Sequence, residues 1–158
     1  MKNILVPVDF SPVSRRVVAE AARLARLIAG RIILLHVVQP PAIVTDYGPL
    51  LGEIIEYTGL AEKAADRRLA RLSAKLHQRG QRARAVRATH YPVQRILEQA
   101  KKSGADYIVI GSHGHTAFYD LLVGSTTSGV LKRATCPVVV VPMPGRVPRR
   151  PARKPAAR

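Results

Sequence analysis

Gly111-Ser-His-Gly114 and Gly124-Ser125-Thr126-Thr127 are the residues of this chain best suited to hold an anion. The first group follows the apolar run Tyr107-Ile-Val-Ile, which reads as a buried strand. The second opens a helix expected over Ser125–Arg133. Glycine lets a backbone approach a ligand without a Cβ clash. The first amides of a helix have no intrahelical acceptor and favour negative charge. Ser125 and Thr126 add hydroxyls beside those amides. The chemistry of this segment is that of a phosphate cradle.

Two familiar phosphate signatures are missing. No Gly-x-Gly-x-x-Gly follows the first strand, and no Gly-Lys pair exists for a P-loop. The segment Gly111–Ser125 also holds no lysine and no arginine. Phosphoryl transfer depends on positioned charges of that kind. The expectation is binding with slow or negligible hydrolysis, and no catalytic residue is assigned. A slow ATPase or a nucleotidyl-transfer enzyme of similar topology is the alternative.

The elements that must position the cradle alternate between strand and helix. Ile4–Val8 is a short apolar run ending at Asp9. Ser11-Pro12 reads as an N-cap followed by proline at the first helical position. Val17, Ala21, Leu24 and Ile28 then recur at helical spacing, with Gly30 as the stop. Arg31–Val38 is apolar almost throughout, as in a strand covered on both faces. Gln39–Gly59 is broken by proline and glycine, with a short helix expected around Leu51–Tyr57. Ala61, Ala65, Leu69, Leu72 and Leu76 line a second helix that ends at Gly80. Its outer face carries Arg67, Arg68, Arg71, Lys75 and Arg79, most simply a solvated face. Arg82–Ala88 alternates base and apolar residue, which predicts an edge strand with one wet face. Pro92 begins a helix ending before Gly104, and Pro137–Pro142 holds the last strand.

Five strands separated by helices predict a doubly wound α/β fold around a parallel sheet. In the order 3-2-1-4-5, strands 1 and 4 are neighbours at the switch point, where ligands bind outside the carboxyl ends. Asp9 and Gly111 would then face one crevice.

Taken together, Ile4-Leu-Val-Pro-Val-Asp9-Phe-Ser, Leu34-Leu-His-Val37, Asp106-Tyr-Ile-Val-Ile-Gly-Ser-His-Gly114, Gly124-Ser125 and Cys136-Pro-Val-Val-Val-Val141 resemble the universal stress protein family. The resemblance covers about residues 1–142. Gly111, Gly114, Gly124 and Ser125 match its ATP-binding branch. It implies a five-stranded sheet of order 3-2-1-4-5 and an adenine nucleotide, ATP with Mg2+ or AMP or ADP. Asp9 would accept from ribose or adenine, with Pro7, Val8 and Val37 walling the base. Gly111, His113 and Gly114 would meet ribose and inner phosphates. Gly124, Ser125 and Thr126 would meet the outer phosphates. It also implies a homodimer through antiparallel pairing of Val138, Val139, Val140 and Val141, and a regulatory or stress-survival role. His90-Tyr91-Pro92 stands where the family usually has Gly-x-Pro.

Several of these residues have a second reading. Asp9 can simply cap the helix after Pro12. His113 and His115 can be ordinary loop residues, and Asp120 a solvated acid rather than an outer-sphere Mg2+ ligand. His36 reads as a core or rim residue. No cysteine or clustered acid completes a metal site with the histidines, so none is assigned.

Composition sets the remaining bounds. At 158 residues with 47% apolar side chains and no Trp, one domain with an aliphatic core is expected, over 1–143. No apolar run reaches the roughly 18 residues of a membrane span. The amino terminus enters a strand at once, so a cytoplasmic location is expected. The single Cys136 fits a reducing compartment and reads as a buried small hydrophobe. The formal charge is +16. Residues 144–158 hold six Lys and Arg and no acid. Their prolines predict a disordered basic tail that either touches nucleic acid or an acidic surface, or only solubilises. With few aromatics to stack bases, nucleic-acid contact would be non-specific and salt-sensitive.

Overall fold

The computed structural model describes residues 1–39, 51–112 and 123–142, with side chains in the middle segment described from Tyr57 onward. The elements are β1 (Asn3–Pro7), α1 (Pro12–Leu27), β2 (Arg31–Val38), α2 (Leu51–Gln78), β3 (Ala83–Thr89), α3 (Pro92–Ser103), β4 (Tyr107–Gly111), α4 (Ser125–Leu131) and β5 (Val138–Val141). All strand pairs are parallel, in the order β3-β2-β1-β4-β5. The expected doubly wound sheet and its order are both observed.

Strand alternation divides the core in two. Ile4, Val6, Ile32, Leu34 and Val109 face α1 and α2, meeting Val17, Ala21, Leu69 and Leu76. Leu5, Ile33, Leu35, Ile108 and Ile110 face the other way, toward Ile96 and Ala100 of α3 and Val130 of α4. Central strands covered on both faces carry apolar residues at every position. The direction of winding reverses between β1 and β4, so α1 and α2 cover one face of the parallel sheet and α3 and α4 the other. Cys136 is half-buried against the second cluster. Burial, and then the charge of Asp106, push its thiol above the ordinary range.

Several sequence expectations need correction. Leu51–Gln78 is one continuous helix of 28 residues rather than a short helix broken at Gly59. A Cβ on Gly59 would meet nothing within 4 Å. This glycine is tolerated, and the burial of Ala65, Leu69 and Leu76 outweighs its poor propensity. At the end of α1 the left-handed residue is Ala29, with φ 49°. Gly30 is needed for another reason: a Cβ there would lie 3.1 Å from the Lys2 carbonyl oxygen. The edge strand β3 begins one residue later than expected, and its α2-facing side is not simply wet. Arg87 pairs with both Glu62 and Asp66 of α2, each at 2.9 Å. The last helix ends at Leu131, two residues short of Arg133.

A polar knot ties the amino ends of the strands, opposite the crevice. Asp106 accepts from the Lys2 ammonium at 2.8 Å and from the Asn3 backbone at 2.7 Å. Asn3 in turn donates to the Ser103 carbonyl and accepts from Arg31.

Candidate functional site

The site lies where β1 and β4 part. Their pairing is confined to Ile4↔Tyr107 and Leu5↔Ile108, near the amino ends. The β1–β2 register, by contrast, continues to Pro7↔Leu35. A parallel pair that stops pairing halfway leaves a cleft at its carboxyl ends, and Pro7, Val8 and Asp9 stand on one side of it. Gly111 stands on the other, opposite Val141 of β5.

The β1 side is rigidly held. The Val8 amide donates to the Leu35 carbonyl at 2.8 Å. The Val8 carbonyl lies 2.7 Å from His36 Nδ1. A carbonyl only accepts, so Nδ1 carries the proton. His36 is thus a rim residue with a structural duty. Phe10 follows Asp9 with φ 61°, a left-handed conformation rare for a bulky residue. Its ring centroid is 4.4 Å from that of His36, and the Arg68 guanidinium sits over the ring at 5.2 Å. These contacts hold the turn that aims Asp9. Val37 is half-buried in β2, paired with Ala88 of β3.

Asp9 performs the capping role that the sequence left open. Its Oδ1 accepts from the Ser11 amide at 3.0 Å and from the Ser14 hydroxyl at 2.8 Å. Ser11 is the N-cap residue, yet its hydroxyl makes no cap bond. Among the described residues, the buried Ser11 Oγ has no hydrogen-bond partner.

On the β4 side, the Ser112 amide donates to the Val141 carbonyl at 2.9 Å, continuing the sheet by one residue. The Ser112 carbonyl accepts from the Gly124 amide at 2.7 Å. Gly124 is therefore brought back to the end of β4. It is the extended N-cap of α4. The first-turn amides of Ser125, Thr126 and Thr127 have no intrahelical acceptor. Ser125 is exposed and Thr126 half-buried. His113, Gly114, His115 and Asp120 lie outside the described residues.

Sequence reasoning missed three supports. Ser14 holds Asp9 from within α1. His36 ties β2 to the end of β1. Thr127, 3% exposed, donates its hydroxyl to the Gly111 carbonyl at 2.6 Å. The signal for Thr127 was its place on the inward side of α4's first turn, three residues before the buried Val130. Among the described residues, no group of three or more His, Cys, Asp or Glu gathers as a metal site. No helix among them is long and apolar enough to cross a membrane.

A parallel sheet covered on both faces, with a cleft where the winding reverses, defines a doubly wound α/β protein of the switch-point class. Residues 1–142 match the universal stress protein family, and the chain belongs to that family. Universal stress protein A homolog 2 of Coxiella burnetii is 30% identical over 152 residues, covering 91% of this chain and 97% of its own. Universal stress protein MJ0577 of Methanocaldococcus jannaschii is 29% identical over 153 residues, covering 89% of this chain and 94% of its own. The solved structure of MJ0577 aligns with a TM-score of 0.80 at 27% identity, over 90% of this chain and 96% of that one. A universal stress protein from Archaeoglobus fulgidus, solved in complex with dAMP, shares the fold with a TM-score of 0.62 at 24% identity, over 89% of this chain and 97% of that one.

Proposed function

We propose that this protein binds an adenine nucleotide in the cleft between β1 and β4, and holds it more than it hydrolyses it. The observation that carries the reading is the convergence of Asp9 at the end of β1 with Gly111 and Gly124 at the end of β4. Pro7, Val8 and Val37 would wall the base, and Asp9 would accept from ribose or adenine. Gly111, His113 and Gly114 would meet ribose and inner phosphates, and Gly124, Ser125 and Thr126 the outer phosphates. The first-turn amides of α4 fit such an anion, because they are donors with no acceptor in their own helix. The dAMP complex of the Archaeoglobus fulgidus relative supports an adenine nucleotide as the ligand class. ATP would bring Mg2+, which neutralises phosphate charge. The biological reading is a regulatory or stress-survival protein of the cytoplasm whose nucleotide state is read by a partner.

Calorimetric titration with ATP, ADP and AMP tests the proposal. Saturable binding at micromolar to millimolar nucleotide is expected, with phosphate release at background. No binding at millimolar ATP, ADP or AMP overturns it.

A further inference from the structure

The charge on α2 is segregated in a way that capping and solvation do not explain. Between Asp66 and Glu98 the chain holds nine Lys and Arg and no acid. Lys63, Arg67, Arg71 and Lys75 follow one another at i, i+4, and all four are exposed. At 1.5 Å per residue they extend about 18 Å along the helix. Like charges at this spacing repel and weaken an isolated helix. The neighbouring acids do not relieve them. Glu62 and Asp66 lie on the flank toward β3, where both are engaged by Arg87. The opposite flank carries Arg68, stacked over Phe10. The result is a rigid cationic ridge, flanked on the same sheet face by Arg15, Arg16, Arg23 and Arg26 of α1, where the one acid, Glu20, is paired with Arg23.

We infer that this α2 ridge is a docking surface for the phosphate backbone of double-stranded nucleic acid. Duplex DNA carries one negative charge per about 1.7 Å of its axis. A straight row of cations matches a rigid polyanion better than a flexible one. The exposed stretch from Lys63 to Arg79 contains no Phe, Tyr or Trp, and its one imidazole, His77, is tied to the Ala83 backbone, so it offers no broad platform on which single-stranded bases could stack. It also exposes no large apolar residue to insert into lipid. Recognition rests on phosphates alone, so it is independent of sequence and strongly dependent on salt. Phosphate docking on this ridge does not require the nucleotide cleft to be filled.

The test is fluorescence anisotropy of the full-length chain with a labelled random-sequence 24-base-pair duplex, titrated between about 50 and 200 mM salt. The triple variant R67Q/R71Q/K75Q is expected to bind about tenfold or more weaker at low salt. Its log–log salt slope should flatten by about 2.7, at about 0.9 per lost phosphate contact. The variant K101Q/K102Q/K132Q removes the same charge from the α3–α4 face and should leave the slope in place. Thermal denaturation checks that both variants fold. Equal losses in both variants would mean bulk charge alone, and overturn the proposal. So would loss in R149Q/R150Q/R153Q with none in the α2 variant. Binding of the chain to phosphatidylserine vesicles but not to the duplex also overturns it.

Discussion

The Gly124 amide donates to the Ser112 carbonyl oxygen at 2.7 Å, closing the chain on itself across the eleven residues between them. That bond returns the start of α4 to the end of β4. Ser112 and Gly124 are thereby held together beside the end of β4. The Thr127 hydroxyl adds a second tie, to the Gly111 carbonyl at 2.6 Å. A cradle built this way is positioned by the sheet.

Thr127 is therefore expected to act on both stability and binding. Thr127→Val keeps the shape but leaves the Gly111 carbonyl without its partner. The expected cost is about 1–3 kcal/mol, read as a lower midpoint in urea denaturation. ATP affinity should weaken as the β4 end loosens. Thr127→Ser retains the hydroxyl and should restore most of both. Equal behaviour of Val and Ser at this position would count against the tie.

Asp9 combines a cap with a proposed ligand contact, and two substitutions separate them. Asparagine keeps an oxygen that can accept from the Ser11 amide and the Ser14 hydroxyl, and loses the charge. Asp9→Asn should leave thermal stability nearly unchanged and weaken nucleotide binding about tenfold, since bonds to charged acceptors are the stronger class. Asp9→Ala removes the cap as well, at about 1 kcal/mol. If Asp9→Asn binds ATP like the parent, Asp9 is a cap alone.

The fold and the elements that frame the candidate site were legible in the sequence, because local signals were strong. Strand-then-glycine at Tyr107–Gly111 and Gly-Ser before a helix placed both feet of the loop. What was not legible depended on pairings distant in the chain. Arg87 looked like a solvent residue because Glu62 and Asp66 are more than twenty residues away. Gly59 looked like a break because the residues that hold α2 together lie beyond it, at Ala65, Leu69 and Leu76. The positive φ of Phe10 has no local signature at all. It goes with contacts to His36 and Arg68, which are distant in the chain.

Gly129 sets how closely α4 approaches α3. A Cβ there would fall 2.9 Å from Val93 Cγ2. Alanine is the better helix former by about 1 kcal/mol, but a β-branched neighbour is stiff and yields poorly. Gly129→Ala is expected to destabilise the parent by about 1–3 kcal/mol through overpacking. In a Val93→Ala background the same change should become neutral or stabilising. A double-mutant cycle measures the coupling, and an additive cycle would show that the two helices do not touch there.

The Lys2–Asp106 pair gives a signed pH dependence. Asp106 is held below its ordinary value of 3.8, first by the Lys2 hydrogen bond and then by the Asn3 amide. Its contribution is complete above that ordinary value and is lost as pH falls through the folded value. Lys2 is raised above 10.5 by the same bond and by the charge of Asp106. Its contribution is complete below 10.5 and is lost as pH rises through the folded value. Asp106→Asn should flatten both limbs of the stability–pH curve. Unfolding measured in denaturant from acid to alkali checks this, and unchanged limbs would remove the pair from the balance.

Strand β5 is the edge of the sheet opposite β3 and, among the described residues, pairs with β4 alone. The carbonyls of Pro137 and Val141 accept from the amides of Ile108 and Ser112. Period two places Val139 on the same side and turns the backbone groups of Val138 and Val140 to the open edge. The proposed homodimer pairs this edge with its copy, antiparallel, covering an apolar strand that would otherwise invite aggregation. Val140→Pro removes an outward amide without cutting the β4–β5 ladder, since proline is tolerated where the amide faces away from the sheet. The parent is expected to sediment as a dimer, and Val140→Pro as a folded monomer. Val139→Pro breaks the internal ladder instead and should unfold the edge itself. A dimer that survives Val140→Pro places the interface elsewhere on the molecule.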